Sequence, residues 1–178
     1  MFGIQALHVA PPQRLLTSGG LGEMGCALPA AIGASFASAK ARRVIVIVGD
    51  GGLMMNLQEL NTIAFHDLPV KIIVFCNDGY AMIKGTHKNI GIPYTGVDYD
   101  SGVSFPNFLG VAKGCGIEGF GIEGSSDIVA LLQMLLESEG PAMMTIDIDP
   151  EQAYVPRLQP HIAADGTITP AKFSELSP

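Results

Sequence analysis

Two short polar turns carry the residues best suited to chemistry. Gly49-Asp50-Gly51-Gly52 ends an apolar, β-branched run over residues 43–48, and Asn77-Asp78-Gly79 ends a second over residues 70–76. If the runs are neighbouring parallel strands, Asp50 and Asn77 stand side by side at their carboxyl ends, where open α/β sheets bind ligands. A magnesium ion takes oxygen ligands in near-octahedral geometry, commonly one or two carboxylates together with substrate phosphates. Asp50 offers a carboxylate, Asn77 an amide oxygen and Gly79 a carbonyl; diphosphate oxygens and a water would complete the shell. Gly51 and Gly52 lack side chains, so their N–H groups can approach a phosphate closely. The plainer alternative is a pair of tight strand-to-helix turns with no ligand.

A third stretch supports a rival reading. Gly20-Leu21-Gly22-Glu23-Met24-Gly25 fits the glycine pattern of dinucleotide-binding loops, and Asp50 ends the following strand, where such a domain keeps its ribose-binding acid. That reading requires Leu15-Leu16-Thr17 to be a strand, and Pro29 crowds the helix that would receive the phosphate. A lone pattern of this kind is weakly specific.

The elements that must position these turns follow from periodicity. Residues 1–9 read as the end of a helix, broken by Pro11-Pro12. Residues 26–39 are small and apolar, a helix with Pro29 in its first turn, buried or at an interface. Asn56 and Glu59 form a capping-box-like start for a helix carrying Leu57, Leu60, Ile63 and Ala64. Residues 80–104 have no clear period and read as a long loop with one helical turn around Met82. A helix over 105–112 and a strand over 117–122 follow. Ser125 caps a helix with Ile128, Leu131, Leu132, Leu135 and Leu136 on one face, and residues 142–148 form a strand. Strands alternating with helices predict a three-layer α/β/α fold, a parallel sheet with helices on both faces. One domain is expected over residues 1–150, with an extended, proline-containing tail over 151–178.

Composition narrows the function classes. With 178 residues, 48% hydrophobic and only 15% charged, the chain is long enough for a large core. Its net charge of −7 and the absence of a basic stripe argue against nucleic acid. No apolar run reaches membrane-spanning length, and the N-terminus lacks a signal peptide's basic head and apolar run. Cys26, Cys76 and Cys115 are odd in number and widely spaced, as expected of reduced thiols in a cytoplasmic protein. His8, His66, His87 and His161 are scattered; only His87 lies near the second turn.

Gly49-Asp50-Gly51 followed by Asn77 resembles the diphosphate-binding motif of thiamine diphosphate enzymes. Residues 18–34, Ser-Gly-Gly-Leu-Gly-Glu-Met-Gly-Cys-Ala-Leu-Pro-Ala-Ala-Ile-Gly-Ala, resemble the matching segment of acetolactate synthases. The resemblance covers roughly residues 1–150 and implies a thiamine diphosphate-binding fold. It implies that Asp50, Asn77 and the Gly79 carbonyl bind Mg²⁺, and that backbone groups of Gly51, Gly52, Tyr80 and Ala81 line the diphosphate. Met24 would be the apolar wedge that bends the cofactor, with Gly22 beside the same ring. The hard chemistry, decarboxylation of a 2-keto acid and capture by a second carbonyl, would belong to the cofactor.

Three departures bear on the assignment. Cys76-Asn77 stands where the family usually has two asparagines. Thr86 stands where some acetolactate synthases carry a tryptophan that selects the second substrate. The tail from Tyr154 resembles synthase-like proteins of uncertain substrate. No glutamate here matches the one that, in the family, reaches the cofactor from a separate N-terminal domain, so no catalytic residue is assigned. The expectation is a C-terminal cofactor domain of a 2-keto acid carboligase or decarboxylase, inactive alone. Its partner would be the N-terminal pyrimidine-binding domain of a parent enzyme or partner subunit, within a homodimer or tetramer. The alternatives are a β-type subunit of a two-chain 2-keto acid decarboxylase, an NAD-binding Rossmann domain and a non-catalytic regulatory module.

Overall fold

The computed structural model describes residues 2–121, 127–152, 158, 160–163, 165–172 and 174. Its centre is a parallel sheet of four strands in the order β1-β2-β4-β3: β1 (Val44–Gly49), β2 (Val70–Cys76), β3 (Glu118–Gly121) and β4 (Ala142–Asp147). β-branched Val and Ile fill β1 and most of β2 because both faces of a parallel sheet are covered. Register pairs Gly49 with Phe75, so both strands end at one edge and Asp50 and Asn77 leave it together.

On one face lie α2 (Ala27–Ala37), α3 (Asp50–Met54), α4 (Glu59–Phe65) and α6 (Phe108–Gly114). Leu28, Leu53, Leu60 and Phe108 pack there against Val46, Ile72 and Met143. On the other face α7 (Ile128–Glu137) sets Leu131, Leu132 and Leu135 against Ile73, Met144 and Phe120. α1 (Phe2–Ala6) brings Gly3 against Ile47 on that second face, beside β1. Helices therefore cover both sides, as the alternation of elements predicts. Among the described residues no helix is long and apolar enough to cross a membrane.

Several local expectations are corrected. Leu15-Leu16-Thr17 forms no strand, so the glycine loop lacks the strand that a dinucleotide-binding loop requires. Asn56 does not cap a helix: α3 begins at Asp50 itself, α4 starts only at Glu59, and the Asn56 amide is used elsewhere. Residues 81–90, read as loop, form a ten-residue helix, α5 (Ala81–Ile90). Its amphipathic signal is obscured by Gly85 and Thr86, and Gly91 at φ 69° ends it in the left-handed conformation. α2 buries one side only, through Leu28, Ala31 and Ser35, and leaves Phe36 exposed. α7 is capped by the Asp127 carboxylate, which accepts from the N–H groups of Val129 and Ala130. Ser125, the expected cap, and Ile122 at the end of the third expected strand lie outside the described residues. Among the described residues of the tail, β5 (His161–Ile162) and β6 (Ile168–Thr169) form a short antiparallel pair.

Candidate functional site

Asp50 is buried, with 2% of its surface exposed, at the point where β1 becomes α3. Its Oδ1 accepts a hydrogen bond from the Gly51 N–H at 2.8 Å. Its Oδ2 accepts from the N–H groups of Asn77 at 3.0 Å and Gly79 at 3.3 Å. One carboxylate thus ties the two strand ends together. Burial pushes its pKa above the ordinary carboxylate range, and hydrogen bonds from Gly51, Asn77, Gly79 and Asp78 only partly oppose this. Asp78 makes the turn at φ 54°, a conformation aspartate tolerates better than most residues.

Gly51 and Gly79 are small because their neighbours are close. A methyl at Gly51 would collide with the Tyr80 ring and lie 3.1 Å from Met24 Cε. A methyl at Gly79 would lie 2.7 Å from the Val97 carbonyl oxygen. Met24, Gly51 and Tyr80 therefore meet beside Asp50, although they come from three separate stretches of sequence. The Gly51 N–H, read from sequence as a phosphate donor, here donates to the carboxylate. Gly52 sits one residue further into α3, and a methyl there would lie 3.0 Å from Val48. Ala81 opens α5 directly after Tyr80.

The glycine loop is docked onto this edge. Gly25 is buried at φ 88°, and its carbonyl accepts a hydrogen bond from the Asn56 amide at 2.7 Å. The Ser18 hydroxyl donates to the Glu23 carboxylate, closing the loop on itself. Met24 is 41% exposed and is not sealed in the core. Gly22, at φ 66°, stands apart: a side chain there would meet nothing within 4 Å.

The groups expected from sequence to hold a metal, the Asp50 carboxylate, the Asn77 amide and the Gly79 carbonyl, are oxygen donors. Among the described residues no group of three or more His, Cys, Asp or Glu side chains could hold a metal. A cation here would therefore draw on one carboxylate, an amide, a carbonyl and its own anionic ligand, the set that suits magnesium rather than zinc. Cys76 does not compete: burial first, then Asp50, Asp147 and Asp78, push its thiol up to about 12. The oxygen-donor chemistry of Asp50, Asn77 and Gly79, with the Asp50 carboxylate bonded to the N–H groups of the other two, fits a Mg²⁺–diphosphate group.

Other residues singled out in the sequence fall into place around the turn. The Thr86 hydroxyl donates to the Met82 carbonyl one helical turn back, at 3.0 Å. His87 is half-buried, its ring tilted against Tyr94 at 6.4 Å between centroids. His66 lies beyond the opposite end of β1, its ring meeting Phe36 and Phe65 edge-on.

Two lysines escaped the sequence reading. Lys84 of α5 pairs with Asp98 at 3.2 Å and Glu151 at 2.7 Å, in a cleft of about 180 Å³ that Asn77 and Gly79 also line. Lys71 is 2% exposed, at the amino end of the sheet. Its ammonium donates to the carbonyl and hydroxyl of Ser138 at 2.7 and 2.8 Å and to the Gly140 carbonyl at 2.6 Å. Neither sits in a motif; only the intrusion of Lys71 into an otherwise apolar strand marked it.

Comparison with known proteins bears on the family and the fold. Residues 1–146 match the family model described as thiamine pyrophosphate enzyme, C-terminal TPP binding domain. The acetolactate synthase isozyme 1 large subunit of Escherichia coli is 37% identical over 169 residues, covering 92% of this chain and 28% of the relative. The chloroplastic acetolactate synthase of Arabidopsis thaliana is 36% identical over 172 residues, covering 94% of this chain and 25% of the relative. The chain thus spans about a quarter of the length of these relatives. Among solved structures, the thiamine diphosphate-dependent 4-hydroxybenzoylformate decarboxylase of Rhodococcus jostii superposes with a TM-score of 0.63 at 27% identity. That match covers 73% of this chain and 24% of the other.

Proposed function

Because the chain belongs to the family of C-terminal cofactor-binding domains of thiamine diphosphate enzymes, we propose that it anchors the cofactor's diphosphate through Mg²⁺ at Asp50, Asn77 and the Gly79 carbonyl. The observation that carries this reading is the Asp50 carboxylate, buried and bonded to the N–H groups of both Asn77 and Gly79. These bonds hold the Asp50 carboxylate beside the turn that carries Asn77 and Gly79, and a cation would offset the cost of keeping the carboxylate ionised in a buried place.

The remaining residues serve orientation. Gly51 and Gly52 add no side chains of their own to the turn, against which Tyr80, Met24 and Val48 pack closely. Tyr80 and Ala81 start α5, whose first-turn N–H groups and positive dipole end face an anion at the same edge. Met24 supplies the apolar surface against which the ring system rests, with Gly22 beside it on the exposed loop. When bound, the cofactor supplies the carbanion chemistry that decarboxylates a 2-keto acid and joins the remainder to a second carbonyl.

On this reading the enzyme is an acetolactate synthase-like carboligase or decarboxylase acting on pyruvate or a similar small 2-keto acid. The chain alone does not turn over. It requires a pyrimidine-binding domain, from the same polypeptide or a partner subunit, in a dimer or tetramer. Thr86 leaves more room than a tryptophan would, which disfavours a pocket specialised for 2-ketobutyrate.

The test is calorimetry of thiamine diphosphate binding with and without Mg²⁺, repeated with Asp50→Ala. A magnesium-dependent signal that disappears in the variant is the expected result. Binding that ignores both magnesium and the substitution sinks the reading, as would pyruvate turnover by the chain alone for its dependence on a partner. NADH fluorescence should not change on addition of the protein.

A further inference from the structure

We propose that Lys84 is a positioning residue for the cofactor turn, acting on Asn77–Gly79 through Asp98. The proposal rests on the reading of that turn as the Mg²⁺–diphosphate site, and names what holds it in shape.

The turn is backed from behind by residues 97 and 98. The Tyr80 N–H donates to the Val97 carbonyl at 2.7 Å, Gly79 and Asp98 form an isolated antiparallel bridge, and Val97 is buried. The contact is so close that no side chain fits at Gly79. Any shift of residues 97–98 therefore moves the Gly79 backbone, whose carbonyl is a proposed metal ligand.

Residues 97–98 are in turn held by two clasps, one for each oxygen of Asp98. Oδ1 accepts from the Ser101 hydroxyl at 2.6 Å and the Ser101 N–H at 3.1 Å, which folds the 98–101 turn on itself. Oδ2 pairs with Lys84 at 3.2 Å. Ser101 thus fixes the shape of the loop, whereas Lys84 fixes its place relative to α5. Both side chains of the pair are only 18% exposed, so it is less screened than an ordinary surface ion pair. Glu151, from beyond β4, holds the same ammonium at 2.7 Å and adds a third element to the clasp. With two carboxylates on it, Lys84 is engaged as a structural cation rather than presented to a phosphate.

The test combines amide hydrogen exchange on the full 178-residue chain without cofactor and calorimetry with thiamine diphosphate and Mg²⁺. Lys84→Met should raise exchange at the Tyr80 amide about tenfold while β2 amides keep wild-type rates, since local opening is independent of global unfolding. Cofactor affinity should fall by about tenfold in parallel. Lys84→Arg should restore both within about twofold. Asp98→Asn should reproduce Lys84→Met, and the double variant should add nothing, because the two act as one unit. Unchanged Tyr80 exchange in Lys84→Met overturns the clasp. Faster exchange at Tyr80 with undiminished cofactor affinity overturns its link to the site. Faster exchange across β2 as well reduces Lys84 to a residue of the fold at large. A wild-type chain that binds no cofactor, yet shows the expected exchange pattern, sinks the cofactor reading and the purpose given to Lys84 with it.

Discussion

The two ends of the sheet each bury one charge, and they treat it in opposite ways. At the amino end, the Lys71 ammonium is enclosed by the Ser138 carbonyl and hydroxyl and the Gly140 carbonyl, which follow α7 and lead into β4. An ammonium has three donors, and all three are used. At the carboxyl end, the Asp50 carboxylate is held by N–H groups from its own strand end and from the neighbouring one. The Asp78 N–H adds to these bonds, and glycine backbone stands beside the carboxylate where carbonyls and a hydroxyl enclose Lys71. A buried charge is thus no sign of function by itself. What separates the two is the edge on which each stands and the small residues beside it. The lysine closes a helix-to-strand corner, while the aspartate joins two strand ends at the edge proposed to receive a cation.

Substitutions at the two ends should separate binding from stability. Asp50→Ala should weaken magnesium-dependent thiamine diphosphate binding by at least about 100-fold, or ~2.8 kcal/mol, as calorimetry would read it. Lys71→Ala should do the reverse. It removes a buried stem and leaves two carbonyls and a hydroxyl without their donor, at a cost of about 3 kcal/mol in a urea titration. Its folded fraction should bind cofactor within about twofold of wild type, because the two sites lie at opposite ends of the strands. If Lys71→Ala lost cofactor binding at full stability, the contrast between the ends would be wrong.

Much of this contrast was legible in the sequence, though unevenly. Two β-branched runs that stop at Gly-Asp-Gly-Gly and Asn-Asp-Gly were enough to place Asp50 and Asn77 side by side, because parallel strands in register carry their terminal turns to one edge. That Met24 stands beside Gly51 was not legible, because no periodicity links residues 27 positions apart. The helix at 81–90 was hidden by Gly85 and Thr86, weak helix formers that tertiary packing overrides. Asn56 looked like a cap because its spacing to Glu59 is right, but its amide reaches the glycine loop, a contact between distant segments that local rules do not see. For the same reason Lys84 and its carboxylates carried no signal. An ion pair 14 positions apart, across a loop, has no local spacing rule.

A smaller effect sharpens the geometry of the cofactor end. Gly51→Ala places a methyl against the Tyr80 ring and Met24 Cε. The ring can swing, so folding should survive with a loss of about 1–2 kcal/mol, in the range for overpacking. The displaced Tyr80 and Met24 should lower cofactor affinity by about tenfold, less than the loss of the Asp50 carboxylate. Unchanged affinity would mean that Tyr80 and Met24 do not border the cofactor.

The smallest effect concerns the charge at the amino end. Burial lowers the pKa of Lys71 below its ordinary 10.5, with Arg43 adding to the shift and Glu118 opposing it. In the window between the lowered folded value and 10.5, the unfolded chain keeps a proton that the folded chain has released. Stability gained from this residue should therefore rise with pH through that window and stay constant below it, where both states are protonated. Urea midpoints measured from pH 8 upward should show the rise in wild type relative to Lys71→Met, which carries no titrating group there. Other lysines and tyrosines titrate in the same range, so the difference between the two proteins is the quantity to follow. A difference that is flat, or that falls as pH rises, would mean that the three acceptors around Lys71 favour its charged form more than burial disfavours it.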